Sequence, residues 1–279
     1  MTSILTNNSA MTALQTLTMV NKNLNQTQGR VSSGLAISSG KDNAAYFAIS
    51  ETMKGDSGMF DAINEGLTST RNSVATARLG AETVSDLAQQ FTERVAFAQG
   101  SGVNLADVQA ELDSIVSQIG TAISQSTFNG DDLVSGAAAT QTIVSGVSRT
   151  GGSFAATTMT FDSVNLGAIQ TALDAIDVVT AGATSQAALQ ATLTTAEAQL
   201  GLAIDAATSL GVTEKSIEAQ QSFLGSLTDT LDQGVSSMVD AEMEEEAARL
   251  QALQTQQQLA TQALAMANSS PQSVLSLFR

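Results

Sequence analysis

A seven-residue apolar repeat sustained over more than fifty residues is the feature that most limits what this chain can fold into. Stepping alternately four and three residues from Ile49 gives Ile49, Met53, Asp56, Phe60, Ile63, Leu67, Thr70, Val74, Ala77, Ala81, Val84, Ala88, Phe91, Val95 and Ala98, of which thirteen of fifteen are apolar. The overall hydrophobic content of 43% would give about six or seven. A heptad seam of this length is the mark of a long helix in coiled-coil-like packing. It predicts a helix over 43–99, opened by Asp42 as N-cap after a Gly40–Lys41 turn. At 1.5 Å per residue such a helix spans roughly 85 Å, so the expected architecture is elongated. Gly55, Gly58, Gly66 and Gly80 lie off the seam. Each costs up to about 1 kcal/mol relative to Ala, which implies close backbone contacts or built-in flexibility.

After Gly100–Ser101–Gly102 a second helix reads from Leu105, Val108, Leu112, Ile115, Ile119 and Ala122 and stops at Phe128–Asn129–Gly130, a strong turn sequence. The two helices form an expected antiparallel hairpin. From Asp131 the composition shifts to Gly, Ser and Thr. Thr140–Val147 and Phe154–Val164 read as short strands around a turn at Arg149–Gly152, and 166–190 as loop and short helix. A second long seam follows: Leu189, Leu193, Ala196, Leu200, Ala203, Ala207, Leu210, Glu214, Ile217, Gln221, Leu224, Thr228, Leu231, Val235, Met238 and Glu242. It would pack beside the first as a third rod helix, with polar Glu214, Gln221 and Thr228 fixing register. The rod seam therefore comprises Ile49, Met53, Phe60, Ile63, Leu67, Val74, Val84, Phe91 and Val95 on one side, and Leu200, Leu210, Ile217, Leu224, Leu231 and Val235 on the other.

Charge separates the chain ends from its middle. Net charge is −16, yet residues 1–41 carry only Lys22, Arg30 and Lys41, and residues 247–279 only Arg249 and Arg279. All 27 acids lie between Asp42 and Glu246, where six basic residues leave a net −21. Both ends are nonetheless patterned. Ala10, Leu17, Leu24 and Val31 recur every seven residues, with Leu14 between the first two. Leu250, Leu253, Gln257, Ala260, Leu264 and Ala267 form a stripe that Pro271 is expected to stop, followed by an apolar tail holding Leu275, Leu277 and Phe278. Short connectors, 34–42 and the acidic run 240–246, would join these segments to the rod. A lone helix of this length is marginal in water, and two such ends paired on a stalk still leave much uncharged surface wet. The physical resolution is many copies packing together, with termini that are disordered in the monomer and fold on assembly.

Composition removes other classes. The chain has no Cys and no His, which excludes zinc fingers, Cys nucleophiles, Ser-His-Asp triads and His-ligated metals. No cofactor is expected and the chain reads as non-enzymatic. The acidic balance argues against nucleic acid. No stretch of eighteen apolar residues argues for a membrane span, and the start lacks the basic-then-apolar pattern of a cleaved signal.

Three motifs, taken in order, carry a resemblance. Val31–Ser50, VSSGLAISSGKDNAAYFAIS, resembles the N-terminal region of bacterial flagellins. Ser126–Gly130, STFNG, resembles the flagellin turn after the second rod helix, and Gln262–Arg279, QALAMANSSPQSVLSLFR, is similar to the flagellin C-terminus. The resemblance implies a mainly α, elongated, coiled-coil-like bundle of long helices with a small β-hairpin region and paired terminal helices. Its parts would be 1–34 and 247–279 as paired inner-core helices, 35–130 as the first two rod helices, 131–180 as a short hairpin and loop region, and 181–246 as the third rod helix. It implies an exported, extracellular structural subunit that polymerises with itself, or with other flagellins, into the flagellar filament for motility. Ala10, Leu14, Leu17, Leu24, Val31, Leu250, Leu253, Ala260, Leu264, Ala267, Leu275, Leu277 and Phe278 would be the polymerisation residues. Implied partners are a flagellar export chaperone at the C-terminus, a filament cap and the hook-junction proteins, without membrane insertion. The alternatives are a hook–filament junction protein of the same superfamily and a secreted helical effector. The Arg-Glu-Leu-Ala-Val-Gln stretch that many flagellins present to a host Toll-like receptor does not carry over, because Thr92 stands where its Arg would be.

Overall fold

The computed structural model describes residues 7–150 and 153–276. In chain order the elements are α1 (Asn8–Ser33), α2 (Ala44–Phe97), α3 (Leu105–Gln125), β1 (Thr140–Thr150), β2 (Ser153–Asp162), α4 (Leu166–Asp174), α5 (Val178–Thr184), α6 (Gln186–Val239) and α7 (Met243–Ser276). The chain is therefore mainly helical with one small antiparallel sheet. It divides into two compact units, Gly58–Thr228 and the pair of ends, Met1–Ser57 with Asp229–Arg279.

In the unit Gly58–Thr228 the heptad seam is the core. Leu67, Val74, Ala77, Ala81, Val84, Ala88, Phe91 and Val95 of α2 are buried, with Ala98 just past its end, as are Leu112 and Ile119 of α3 and Ala196, Ala203, Leu210, Ile217 and Leu224 of α6. Polar links set the register. Arg94 pairs with Glu111 at 3.1 Å between antiparallel α2 and α3. Arg78 bonds both Glu82 of its own helix and, through Nε at 2.7 Å, Glu214 of α6. Gln221 donates to Thr68 Oγ1 at 2.7 Å. Glu214 and Gln221, read as polar breaks in the second seam, thus tie α6 to α2.

The two strands pair from Thr140↔Asp162 to Thr150↔Ser153. Ser145 is an extra residue between Val144 and Gly146. A bulge leaves its extra residue outside the ladder, and Gln220 of α6 donates to the Ser145 carbonyl at 2.7 Å. Behind the hairpin, Gln109 of α3 clamps the α4–α5 connection, donating to the Ile176 carbonyl at 3.2 Å and accepting from the Val178 amide at 2.9 Å. The expected turn at 129–130 is present, with Asn129 at φ 50° and Gly130 at φ 88°.

Four expectations need correcting, and one, on the glycines, is met at Gly80 alone. Asp42 does not cap α2; Asn43 Oδ1 accepts from the amides of Ala45 and Tyr46. Asp42 instead gathers the amides and hydroxyls of Ser38 and Ser39 on one oxygen. These bonds, the Ser38 amide foremost, hold its carboxyl below the ordinary carboxylate value. Ile49 is not in the seam, being 50% exposed, and Ser50 takes the buried position. Two helical turns on, buried Ser57 donates to Asp232 at 3.0 Å, so small polar residues replace apolar ones where α2 begins. Of the off-seam glycines, Gly55, Gly58 and Gly66 face open space, while a Cβ at Gly80 would collide with Oγ and Cβ of Ser126. The acidic connector is shorter than expected: α7 begins at Met243, with Glu244, Glu245 and Glu246 in its first turn. Carboxylates there are favoured by the unpaired amides of a helix N-terminus. Finally, α7 continues through Pro271 to Ser276.

Candidate assembly surface

The unit built from the two ends centres on α1 and α7. Three polar contacts fix them as antiparallel: Asn7 Nδ2 to the Ala267 carbonyl at 2.7 Å, Gln257 Nε2 to Asn21 Oδ1 at 2.7 Å, and Arg30 Nη1 to Glu246 Oε1 at 3.1 Å. The connectors pair as well. Gly34 ends α1 at φ 75°, a left-handed backbone that suits glycine. Leu35 and Asp240 then form an antiparallel bridge, with Ala36 N to Val239 O at 2.7 Å and Ala241 N to Gly34 O at 2.8 Å.

Glu246 is the anchor at this end. Its residue is 6% exposed, and Oε1 accepts from both Arg30 and Arg249. Oε2 is buried without a hydrogen bond. At the other end Asn7 serves two helices. Its Oδ1 accepts from the Ala10 amide at 3.0 Å and caps α1, while its Nδ2 reaches α7. The carbonyl it reaches, Ala267, is the one that a residue at 271 would bond in a regular helix, and Pro271 has no N–H to offer.

The structure separates the expected polymerisation residues by exposure. Ala10, Leu17, Leu24 and Val31 of α1 are buried or half-buried together with Val20 and Thr27, as are Leu250, Leu253, Ala260, Leu264 and Ala267 of α7. These line the seam between the two helices. Leu14 lies at the rim of the seam and is 53% exposed; with Ala10 and Met11 it borders a groove shared with Thr261, Leu264 and Ala265 of α7. Met11 and Met19 of α1, and Leu259 and Met266 of α7, are likewise exposed. Met11, Leu14, Thr18, Met19 and Lys22 line one shallow groove on α1. The side chain of Leu275, and Leu277 and Phe278, lie outside the described residues. Sequence reasoning singled out Leu14 and passed over its neighbours Met11 and Met19, whose spacing of eight residues was the available clue.

Of the rod-seam residues, Phe60, Leu67, Val74, Val84, Phe91, Val95, Leu210, Ile217, Leu224 and Val235 are buried, and Met53, Ile63, Leu200 and Leu231 are half-buried. Among the described residues there is no cluster of three potential metal-ligating carboxylates, and no helix is long and apolar enough to cross a membrane.

Residues 4–139 match the bacterial flagellin N-terminal helical region, and residues 191–278 the bacterial flagellin C-terminal helical region. The flagellin of Brucella melitensis biotype 1 is 37% identical over 281 residues that span all of both chains. This chain belongs to the bacterial flagellin family. Flagellin C of Rhizobium meliloti is 34% identical over the whole of each chain, and flagellin FljM of Caulobacter vibrioides 35% over 99% of this chain and 98% of that one. A solved chain described as a flagellar hook-associated protein from Vibrio parahaemolyticus shares the fold, with TM-score 0.51 and 13% identity over 72% of this chain and 99% of its own. At that identity the likeness concerns fold alone, and the full-length relatives are flagellins. The chain is thus a structural subunit of a flagellar filament, which lies outside the cell. The family implies self-polymerisation and association with other flagellar components.

Proposed function

We propose that the α1–α7 pair is where copies of this flagellin meet, and that the exposed apolar side chains of Met11, Leu14, Met19, Leu259 and Met266 are covered by neighbouring subunits. The observation that carries the reading is the exposure of these five large apolar side chains, between 53% and 68%, on two helices that hold no acidic residue outside the first turn of α7. Burying a side chain of this size contributes about 1.5–3 kcal/mol. A handful per subunit, repeated at each contact, is ample to offset the ordering of the two ends. The seam residues Ala10, Leu17, Leu24, Val31, Leu250, Leu253, Ala260, Leu264 and Ala267 hold the pair together, and Leu275, Leu277 and Phe278 extend its apolar character to the C-terminus. In this reading the free monomer leaves its ends unfolded until neighbours arrive.

The C-terminal segment, uncharged between Arg249 and Arg279 and striped with apolar residues among its glutamines, is also where an export chaperone would shield the chain before assembly. The filament cap and hook-junction proteins would meet the same surface at the two ends of the filament.

Polymerisation of the purified full-length chain, followed by light scattering and electron microscopy, is compared with chains lacking 1–34 or 247–279. Filaments from the intact chain alone support the reading. Equal filament formation by either shortened chain overturns it.

A further inference from the structure

Pro271 and Asn7 stand at opposite ends of the chain and meet at one atom. A proline inside a helix deletes the bond from its own position to the carbonyl four residues earlier, here the oxygen of Ala267. A carbonyl left without a donor in a partly buried seam is a site of weakness at which a helix normally ends. Yet α7 runs on to Ser276. The donor comes from Asn7 Nδ2, 2.7 Å from the Ala267 oxygen and 260 residues away in sequence. The same side chain caps α1 through its other atom, accepting from the Ala10 amide at 3.0 Å. An asparagine side chain carries a donor and an acceptor on a single rigid plane. It can serve both helices at once. Serine and aspartate cap equally well, but serine is too short to span to α7 and aspartate has no N–H to give.

We infer that Asn7 is the positioning residue that completes the terminal pair: its amide replaces the hydrogen bond that Pro271 removes, so the last turns of α7 are finished only when α1 is docked. Pro271 makes the C-terminal end of α7 dependent on the N-terminal end of α1. In the assembly proposed above, on which this inference rests, the clasp allows a subunit to present its surface only when both ends are in register.

The test is a four-way cycle in the full chain: parent, Asn7→Ser, Pro271→Ala, and the double variant. Asn7→Ser keeps a good cap but loses the reach to α7. Pro271→Ala restores an N–H at 271, which can bond the Ala267 oxygen itself. The critical concentration for polymerisation reads the first effect. Asn7→Ser raises it about fivefold to tenfold, as expected for losing one hydrogen bond and leaving its acceptor unpaired. In the Pro271→Ala background the same change has less than a twofold effect. An equal penalty for Asn7→Ser in both backgrounds overturns the inference, as does no penalty in the parent.

Hydrogen exchange of the amides in the first turns of α1 and the last turns of α7 is read alongside, in whichever state the parent adopts. Faster exchange at the end of α7 on Asn7→Ser, abolished by Pro271→Ala, supports the clasp even if the parent fails to polymerise, an outcome that would count against the assembly reading alone. Absence of that coupling in both filament and soluble chain overturns the clasp, whether or not filaments form.

Discussion

Between Leu67 and Val95, α2 holds Leu67, Val74, Val84, Phe91 and Val95 at 1% exposure or less, whereas α1, over a comparable length, brings only Val20 and Thr27 below 9%. Both helices follow a seven-residue repeat. The difference lies in how many neighbours the chain itself provides. In the unit Gly58–Thr228, α2 is covered by α3 and α6, and the repeat is closed within one molecule. The α1–α7 pair has one face each in the seam and large apolar side chains on both helices left in water. Periodicity thus reports that a face is buried, not by whom; the count of charged residues on the remaining faces distinguishes the two cases. The rod carries the acids and the pair carries almost none.

This contrast can be broken or sharpened by substitution. The largest effect is expected in the rod core. Phe91→Ala empties a fully buried site and should lower monomer stability by about 3–5 kcal/mol in a denaturant titration. A loss under about 1 kcal/mol would mean that the rod core is not closed. Next comes Gly80→Ala. Ser126 cannot swing aside freely, because its Oγ donates to the Ala122 carbonyl at 2.6 Å. The added methyl should cost about 1–3 kcal/mol as overpacking, and a second change, Ser126→Gly, should recover most of it.

Leu14→Ser sharpens the comparison from the other side. The monomer's midpoint should move by no more than about 0.5 kcal/mol, as for an exposed site, while the critical concentration for filament growth rises roughly fivefold from about 1 kcal/mol of lost burial. An effect on the monomer larger than that on assembly would reverse the assignment of this surface.

Glu214→Gln should cost about 1 kcal/mol or less, since its pair with Arg78 is only partly shielded, and the difference should shrink in high salt. The smallest effect is acid-linked. Asp132 is held below its ordinary value of 3.8 by the Ser135 hydroxyl first and the amides of Ser135 and Val134 next. A carboxyl whose folded pKa is depressed stabilises fully above its unfolded value and loses that contribution as pH falls through the lower folded one. Asp132→Ala should therefore melt earlier than the parent at neutral pH, and thermal scans should converge only below the ordinary value.

Much of the rod was legible because each seam residue meets a partner at heptad spacing, and spacing is visible in sequence. Where α2 begins, the rule failed for a physical reason. Ser50 and Ser57 occupy the buried face because the hydroxyl of Ser57 has Asp232 to bond, a pairing across 175 residues that no local pattern shows. Asn43 displaced Asp42 as the cap because Asp42 was already engaged by two serines. Pro271 was misread for a similar cause: the rule that proline ends a helix assumes that the lost bond stays lost, and Asn7 supplies it from afar. On the terminal helices, Leu14 was grouped with Ala10 and Leu17, four and three residues away along the same face, and it stays 53% exposed at the rim of the seam. A stripe that is only half-buried tolerates such mixing, since Ala and Met blur the edge between faces.

The antiparallel pairing of the first helix with the last has a temporal side. Among the described residues, Asn7 and Ala267 meet across 260 positions of sequence, and closure of long loops is slow. A ribosome finishes α1 more than two hundred residues before any atom of its partner exists. Through all that interval, whatever else has folded, the sticky stripe of the first helix has no register in which to be held. A growing chain is therefore barred by the order of its own synthesis from offering neighbours a finished contact, and only a complete molecule can join.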